Sequence, residues 1–172
     1  MTAGETASAT TLLIDGKALR IRPIQPDDTP ALQVMHRGLS ERTVYQRFFA
    51  VLPELSPQQA DRFTHVDGAQ RFALVAEAPD GSLVAVGRYD RLAPDLQHAE
   101  VAVVVADAYQ HHGLGTALVA MLRAHARAAG VTAFIADVLS TNYAMHRTFK
   151  DAGLVATSAS DHGIAHLVMP LN

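Results

Sequence analysis

A short segment in the second half of the chain combines glycines and polar residues as anion-binding loops do. It reads Gln110-His111-His112-Gly113-Leu114-Gly115-Thr116 and lies between a valine-rich stretch and a long amphipathic pattern. Glycines let a backbone approach a bulky anion, and the free N–H groups at a helix start favour negative charge. No Gly-Lys-Ser/Thr of a Walker loop follows, and the third glycine of a dinucleotide fingerprint is missing. The residues alone leave two interpretations open, a phosphate or pyrophosphate cradle and an ordinary turn between a strand and a helix.

The valine-rich stretch before this segment carries one carboxylate, Glu100. Alternation along a strand places Glu100, Ala102 and Val104 on one face. A carboxylate among small and branched apolar residues is costly unless it is paired or used. We therefore expect a buried carboxyl that suits a general base, because burial favours its protonated form. The alternative is an ion pair with Arg88 on the adjoining strand.

Apolar periodicity and turn signals predict the elements that position these residues. The predicted strands are 12–14 and 18–24 (a small hairpin or one bent strand), 72–78, 83–92, 98–105, 131–139, 154–157 and 164–169. The predicted helices are 27–39 with Asp27 as its cap, 40–49, 56–65, a long one from Gly113 to Gly130, and 142–152. This order predicts an α/β chain with a mixed sheet covered by helices, including one β-α-β unit.

Length and composition limit the classes of function. We expect a flexible tail at 1–11 and a single domain at 12–172 in this chain of 172 residues. The net charge of −3 gives no basic footprint for nucleic acid. The absence of cysteine excludes disulfides, thiolate metal sites and a covalent acyl-cysteine mechanism. No apolar run reaches the roughly 18 residues of a membrane span, and the start lacks a secretory signal, so we expect a cytoplasmic protein.

Two motifs together resemble a known family. Gln-x-x-Gly-x-Gly between a valine-rich strand and an amphipathic helix resembles the signature of the GNAT superfamily of N-acetyltransferases. Asn142, Phe149 and Gly153-Leu154 resemble that family's Asn, a later aromatic residue, and a Gly-Phe pair that ends the helix. The resemblance covers about 19–169. It implies the GNAT acyl-CoA N-acyltransferase fold, with a mostly antiparallel mixed sheet, one splayed strand pair and helices on both faces.

The resemblance also implies a cofactor site for acetyl-CoA. The pantetheine arm would contact Val103 and Val105. The pyrophosphate would lie on the loop that begins at Gln110, and its contacts would be His111, His112, Gly113, Leu114, Gly115 and Thr116. Asn142 would contact the cofactor near the pantetheine or the thioester, and it can also cap the following helix. We expect no metal site, because adjacent histidines rarely converge on one ion.

The resemblance further implies Glu100 as the general base of the transfer. Many family members use a Tyr as general acid where this chain has Phe149, and Phe cannot donate a proton. The departing thiolate would then take its proton from water or another group, with Tyr143 as one candidate. On the acceptor side, the resemblance suggests a channel lined by residues that can equally be core packing, namely Tyr45, Arg47, Phe48 and Phe49.

A narrower resemblance concerns the acceptor. Short matches that include Ser40-Glu41-Arg42, Arg47-Phe48-Phe49, His65-Val66-Asp67 and Ala99-Glu100-Val101 look like the acetyltransferase domain of bacterial protein lysine acetyltransferases. Those enzymes acetylate proteins that include acyl-CoA synthetases, so the implied partner is a protein with an acceptor lysine. Two alternatives stay open: a small-molecule amine such as an amino acid, polyamine or antibiotic, and a non-catalytic acyl-CoA-binding sensor. The sequence leaves the oligomeric state open.

Overall fold

A computed structural model describes residues 8–172. Its strands are β1 (Thr10–Ile14), β2 (Lys17–Pro23), β3 (Arg71–Glu77), β4 (Leu83–Arg91), β5 (His98–Val105), β6 (Ala133–Leu139), β7 (Thr157–Asp161) and β8 (Ile164–Pro170). Its helices are α1 (Thr29–Arg37), α2 (Glu41–Phe48), α3 (Pro57–Thr64), α4 (Leu114–Ala128) and α5 (Tyr143–Asp151). Within these residues the eight strands form one sheet in the order β1-β2-β3-β4-β5-β6-β8-β7. The predicted class, a mixed and mostly antiparallel sheet with helices, is confirmed.

The predicted tail at 1–11 falls mostly on residues 1–7, which lie outside the described residues. Thr10 and Thr11 belong to β1, and they pair with Ile21 and Arg20 of β2. The regular structure therefore begins two residues before the expected start at 12. Of the two possibilities for this region, the hairpin is the one that forms.

Helix caps explain why some predicted boundaries hold and one fails. Ser40 Oγ accepts a hydrogen bond from Thr43 N, and Ser56 forms a reciprocal capping box with Gln59. The prediction that Asp27 caps α1 is wrong. A 3₁₀ turn over Pro26–Asp28 precedes α1, and the Asp28 carboxylate accepts two hydrogen bonds from the Arg22 guanidinium at 2.7 and 2.8 Å.

The predicted strand at 154–157 is also wrong in position. Leu154 is buried at the end of α5 and packs in the core, so it does not join the sheet. The edge strand that pairs with the outer side of β8 is β7, Thr157–Asp161, whose residues are all exposed. An edge strand of small polar residues has no buried face, and apolar alternation therefore cannot reveal it.

Helices cover both faces of the sheet. Along β3, Phe72 and Leu74 pack into a core with α4, whereas Ala73 and Val75 pack into a second core with α1 and α3. Alternate strand residues point to opposite faces, so these two cores lie on opposite sides. None of the helices described over residues 8–172 has the length and apolar character that crossing a bilayer requires.

The sheet opens between β5 and β6. These two strands are parallel, and their pairing covers only His98–Glu100 against Ala133–Ile135. Beyond Glu100, β5 continues to pair with β4 as far as Val105, while β6 continues to pair with β8 as far as Leu139. The two strands therefore separate from each other without losing their outer neighbours.

Candidate active site

A cleft of about 400 Å³ occupies the gap between the separated ends of β5 and β6. Val101 to Val105 of β5 and Ala136 to Val138 of β6 form its floor. The end of α2, the segment Tyr109 to His111 and the first turns of α5 form its walls. The cleft is long and half-open, a shape that suits an extended ligand.

The backbone of β5 offers unpaired groups to this cleft. Ala106 N donates to Val84 O, and Leu92 N donates to His98 O, so the even-numbered residues of β5 direct their backbone groups to β4. The odd-numbered residues direct theirs toward β6, and beyond the last pair, Glu100 with Ile135, the groups of Val103 and the N–H of Val105 face the gap. A ligand with amide groups can pair with them as a neighbouring strand would. Such pairing satisfies buried backbone groups that would otherwise lack partners.

The loop after β5 ends at the exposed start of a long helix. Gly113 has φ of +85°, the left-handed conformation that favours glycine, and α4 begins at the next residue. The N–H groups of the first turn, from Leu114 to Thr116, have no acceptor within their own helix. The Leu114 side chain is fully buried in the core, so only its backbone can serve a ligand. This geometry is that of an anion site at a helix N-terminus.

The structure places some of the predicted site residues in the cleft and others next to it. Seven of the predicted site residues line the cleft, namely Glu100, Val103, Val105, Gln110, His111, Gly115 and Asn142. His112, Gly113, Leu114 and Thr116 belong to the adjoining loop and first helical turn but do not line the cleft itself. His112 turns to the β1–β2 hairpin, where its Nδ1 lies 2.8 Å from Asp15 Oδ2. Its predicted contact therefore depends on the backbone.

A polar network that the sequence reasoning missed holds the loop to α2. The Asp107 carboxylate accepts hydrogen bonds from Ser40 N at 3.0 Å, Ser40 Oγ at 2.7 Å and Thr43 Oγ1 at 3.1 Å. Partial burial acts to raise the pKa of Asp107, but these hydrogen bonds outweigh it and hold the pKa below its ordinary value. Gln110 Nε2 donates to Thr43 Oγ1 and to Val105 O. Gln110 thus fixes the turn with its amide nitrogen.

Glu100 lies where the pairing of β5 with β6 ends, and its environment differs from the prediction. The side chain is exposed and lines the cleft, so the expectation of a buried carboxyl is wrong. The alternative ion pair with Arg88 is wrong too, because Arg88 Nη2 lies 3.4 Å from Asp90 Oδ1 instead. Among the described residues, no Lys, Arg or His nitrogen lies within 4.0 Å of the Glu100 carboxylate. The carboxylate is free to accept a proton from a ligand.

The start of α5 forms the far wall of the cleft. Asn142 is buried, and its Oδ1 accepts a hydrogen bond from Met145 N at 3.2 Å, which confirms the predicted N-cap. Phe149 is 3% exposed and presents no proton donor to the cleft. Tyr143 is 72% exposed and does not line the cleft, so this structure gives no support to Tyr143 as a substitute general acid.

The four residues suggested for the acceptor channel differ in whether they line the cleft or pack in the core. Arg47, Phe48 and Phe49 line the cleft, whereas Tyr45 is exposed and does not. The Phe48 ring also packs against His36 at a centroid distance of 5.5 Å, so for Phe48 both interpretations apply. Within residues 8–172, no three His, Cys, Asp or Glu side chains are grouped as a metal site requires.

Comparison with known proteins identifies similar chains. The model of the family described as "Acetyltransferase (GNAT) family" matches residues 36–154. The "Acetyltransferase Pat" of Mycolicibacterium smegmatis is 33% identical over 143 residues. That alignment covers 81% of this chain and 42% of the relative, so the chain spans less than half of that protein's length.

Solved structures agree with this similarity. The GNAT domain of S. lividans PAT has a TM-score of 0.87 and 35% sequence identity, over 94% of this chain and 96% of that one. The yncA protein of Salmonella typhimurium, solved with its cofactor acetyl-CoA, has a TM-score of 0.73 over 90% of this chain and 94% of that one. At 18% identity, this second likeness concerns the fold alone.

Proposed function

Since the chain belongs to the GNAT family of acetyltransferases, we propose that it transfers the acetyl group of acetyl-CoA directly to a lysine side chain of a cytoplasmic protein. The observation that carries this proposal is the cleft between β5 and β6. Unpaired backbone groups line its floor, a helix N-terminus adjoins one end, and a free carboxylate lies where the strands begin to separate. Acyl-CoA synthetases are the partner class that we propose to examine first.

Acetyl-CoA would bind through backbone groups along the whole cleft. The N–H groups of the first turn of α4 and the preceding loop would hold the pyrophosphate. The pantetheine amides would pair with Val103 and with the N–H of Val105, whose carbonyl already accepts from Gln110. Asn142 lines the same cleft with its Oδ1 committed to the helix cap, which leaves its amide nitrogen for the cofactor.

The chemistry requires a neutral amine at the thioester. A lysine amine has a pKa near ~10.4 and reaches the site as ammonium at neutral pH. Glu100 accepts a proton from it, directly or through a water, and the freed lone pair attacks the thioester carbon. The N–H of Val103 can donate to the developing oxyanion. The carbon–sulfur bond then breaks, the new amide nitrogen loses its remaining extra proton to water or to the departing thiolate, and the amide product and CoA separate.

The departing thiolate needs no donor from the protein. Phe149 lies in the cleft where a proton donor would be useful, but Phe has no proton to give. A free thiol has a pKa near ~8.5, so the thiolate can take a proton from water or leave without one. The sequence contains no cysteine that could carry the acetyl group, which agrees with the direct transfer that we propose.

Release of CoA thiol tests the proposal against its alternatives. The purified protein is incubated with acetyl-CoA and one acceptor in each sample. The acceptors are an acyl-CoA synthetase, lysine peptides, free amino acids and polyamines. We expect thiol release and a mass increase on lysine in the protein and peptide samples. Turnover only with small amines would replace the protein acceptor by a small molecule. Binding of acetyl-CoA without turnover of any amine would indicate the sensor.

A further inference from the structure

Arg47 is a cation in the cleft that forms no ion pair with any of the residues 8–172. The side chain is half-buried, lines the cleft, and stacks its guanidinium 4.7 Å from the centre of the Phe48 ring. Among the described residues, no carboxylate lies within 4.0 Å of it and no acceptor forms a hydrogen bond with it. A guanidinium has five N–H donors, so this one has its whole bonding capacity available.

The neighbouring cation, Arg88, has an anionic partner within the protein. Its Nη2 lies 3.4 Å from Asp90 Oδ1, and its Nη1 donates to the Phe63 carbonyl. Burial lowers the pKa of Arg47 to about 10, and the positive charge of Arg88 adds to this, while Glu100 and Asp90 oppose it. Arg47 therefore stays protonated at neutral pH in a place where its charge is poorly solvated. An unmatched charge of this kind is costly in the folded state, and an anionic ligand would relieve the cost.

The strand register places Arg47 at the acceptor end of the cleft. Glu100 stands opposite Asp90, and Ala102 stands opposite Arg88, so all four side chains share one face of the sheet. Arg47 covers this face from α2, beside Ala102 and Val104. The charges that act on Arg47 come from these residues and not from the loop after β5. Arg47 and Glu100 are thus an unpaired cation and an unpaired anion within one cleft.

We propose that the acceptor end selects amines that carry a carboxylate near the reacting nitrogen. Glu100 receives the ammonium and Arg47 receives the carboxylate, in a bidentate pair that guanidinium geometry favours. A carboxylate suits the site better than a phosphate, because a second negative charge would meet Asp90 and Glu100. This inference rests on the proposed acetyl transfer to an amine. The carboxylate has two possible sources, an acidic side chain beside the lysine of a protein or the acceptor's own terminal carboxylate.

Matched acceptor pairs measure the selection. One pair is a lysine peptide with Glu beside the lysine and the same peptide with Gln. The other pair is Nα-acetyl-lysine and its amide, which differ only in the carboxylate. We expect kcat/KM to be about tenfold higher for the acid than for the amide in at least one pair, the usual worth of a charge-assisted hydrogen bond. The pair that shows the preference identifies the source.

Variants assign the preference to Arg47. Arg47→Gln should reduce the acid-to-amide ratio to about one, and Arg47→Lys should retain part of it, because a charge remains but the bidentate geometry is lost. Arg42→Gln is the matched control, since Arg42 is exposed on the same helix and does not line the cleft. The KM for acetyl-CoA and the melting temperature of each variant show whether the cleft is intact.

Two outcomes would overturn this inference: equal kcat/KM for acid and amide in both pairs, or an undiminished preference in Arg47→Gln. Both outcomes can be distinguished from a failure of the proposed function, in which no lysine acceptor would give any release of CoA thiol. In that case calorimetry with Nα-acetyl-lysine and its amide, in the presence of CoA, still decides the matter. Tighter binding of the acid that is lost in Arg47→Gln supports the inference, and equal or absent binding of both overturns it.

Discussion

At the scale of single residues, Glu100 is the general base that we propose. Its carboxylate lines the cleft at the point where β5 leaves β6. Its strand neighbours on the same face, Ala102 and Val104, are apolar, and Arg88 is already engaged with Asp90. The negative charge would therefore attract an incoming ammonium as well as accept its proton.

Glu100→Gln tests this role, because the amide keeps the shape of the side chain but cannot accept the proton. We expect acetyl-CoA to bind normally and activity at pH 7 to fall roughly 10²–10⁴-fold. The loss should shrink as pH rises, since more of the amine then arrives neutral. A pH–rate profile with a lysine peptide measures it, and exposed Glu54→Gln is the control. Equal rates at pH 7 would exclude Glu100 as the base.

At the scale of elements, β5, the following loop and α4 form the proposed cofactor site. The sequence predicted some of these parts better than others. The bounds of β5 matched the prediction because the valines repeat along the strand. The start of α4 after Gly113 followed from the glycines and the amphipathic pattern. The anchoring of Asp107 to Ser40 was missed, because its partner lies 67 residues away and no local pattern encodes it. The exposure of Glu100 was missed for a related reason, since strand periodicity assigns a face but not the opening between β5 and β6.

Gly113→Asp tests the loop, and Gly68→Asp is its matched control. Both glycines have positive φ, +85° and +76°, and a Cβ at either would meet no atom within 4 Å. Each substitution should therefore cost a similar backbone strain of about 1–2 kcal/mol. Only Gly113 lies at the start of α4, where a carboxylate would repel the pyrophosphate. Calorimetry should show loss of acetyl-CoA binding in Gly113→Asp alone, and wild-type affinity there would refute the loop site.

At the scale of the whole molecule, two cores on opposite faces hold the sheet, and one of them contains a titratable group. The His125 ring of α4 stacks on Phe72 of β3 at a centroid distance of 3.6 Å. Its Nδ1 lies 2.9 Å from the hydroxyl of Tyr89, on β4. Burial raises the pKa of Tyr89 to about 12, so its hydroxyl stays protonated at neutral pH, and the tautomer of the His125 ring sets which of the two groups donates. Burial also lowers the pKa of His125 below its ordinary value of 6.5.

This shift predicts how stability depends on pH. Well above pH 6.5, His125 is neutral in both the folded and the unfolded chain. Its burial then does not reduce the free energy of unfolding. As pH falls below 6.5, the unfolded chain takes up the proton first, so the free energy of unfolding decreases until the folded pKa is passed. Urea unfolding between pH 8 and 5 should give a shallower decrease in His125→Gln than in wild type. Exposed His162→Gln should keep the wild-type slope, and identical slopes in all three would contradict the assignment.

The separation of β5 from β6 also bears on how the chain avoids aggregation. From Ala102 to Val105, β5 is paired with β4 but not with β6, so the side that faces β6 resembles a free sheet edge, which can pair with a strand from another molecule when it is exposed. Here the edge lies inside the sheet, between β6 on one side and the walls that α2 and α5 provide. A strand from another molecule would have to enter between these walls to reach the backbone of β5. The unpaired part of β5 is therefore reached only through the cleft and is not presented at the outer rim of the sheet.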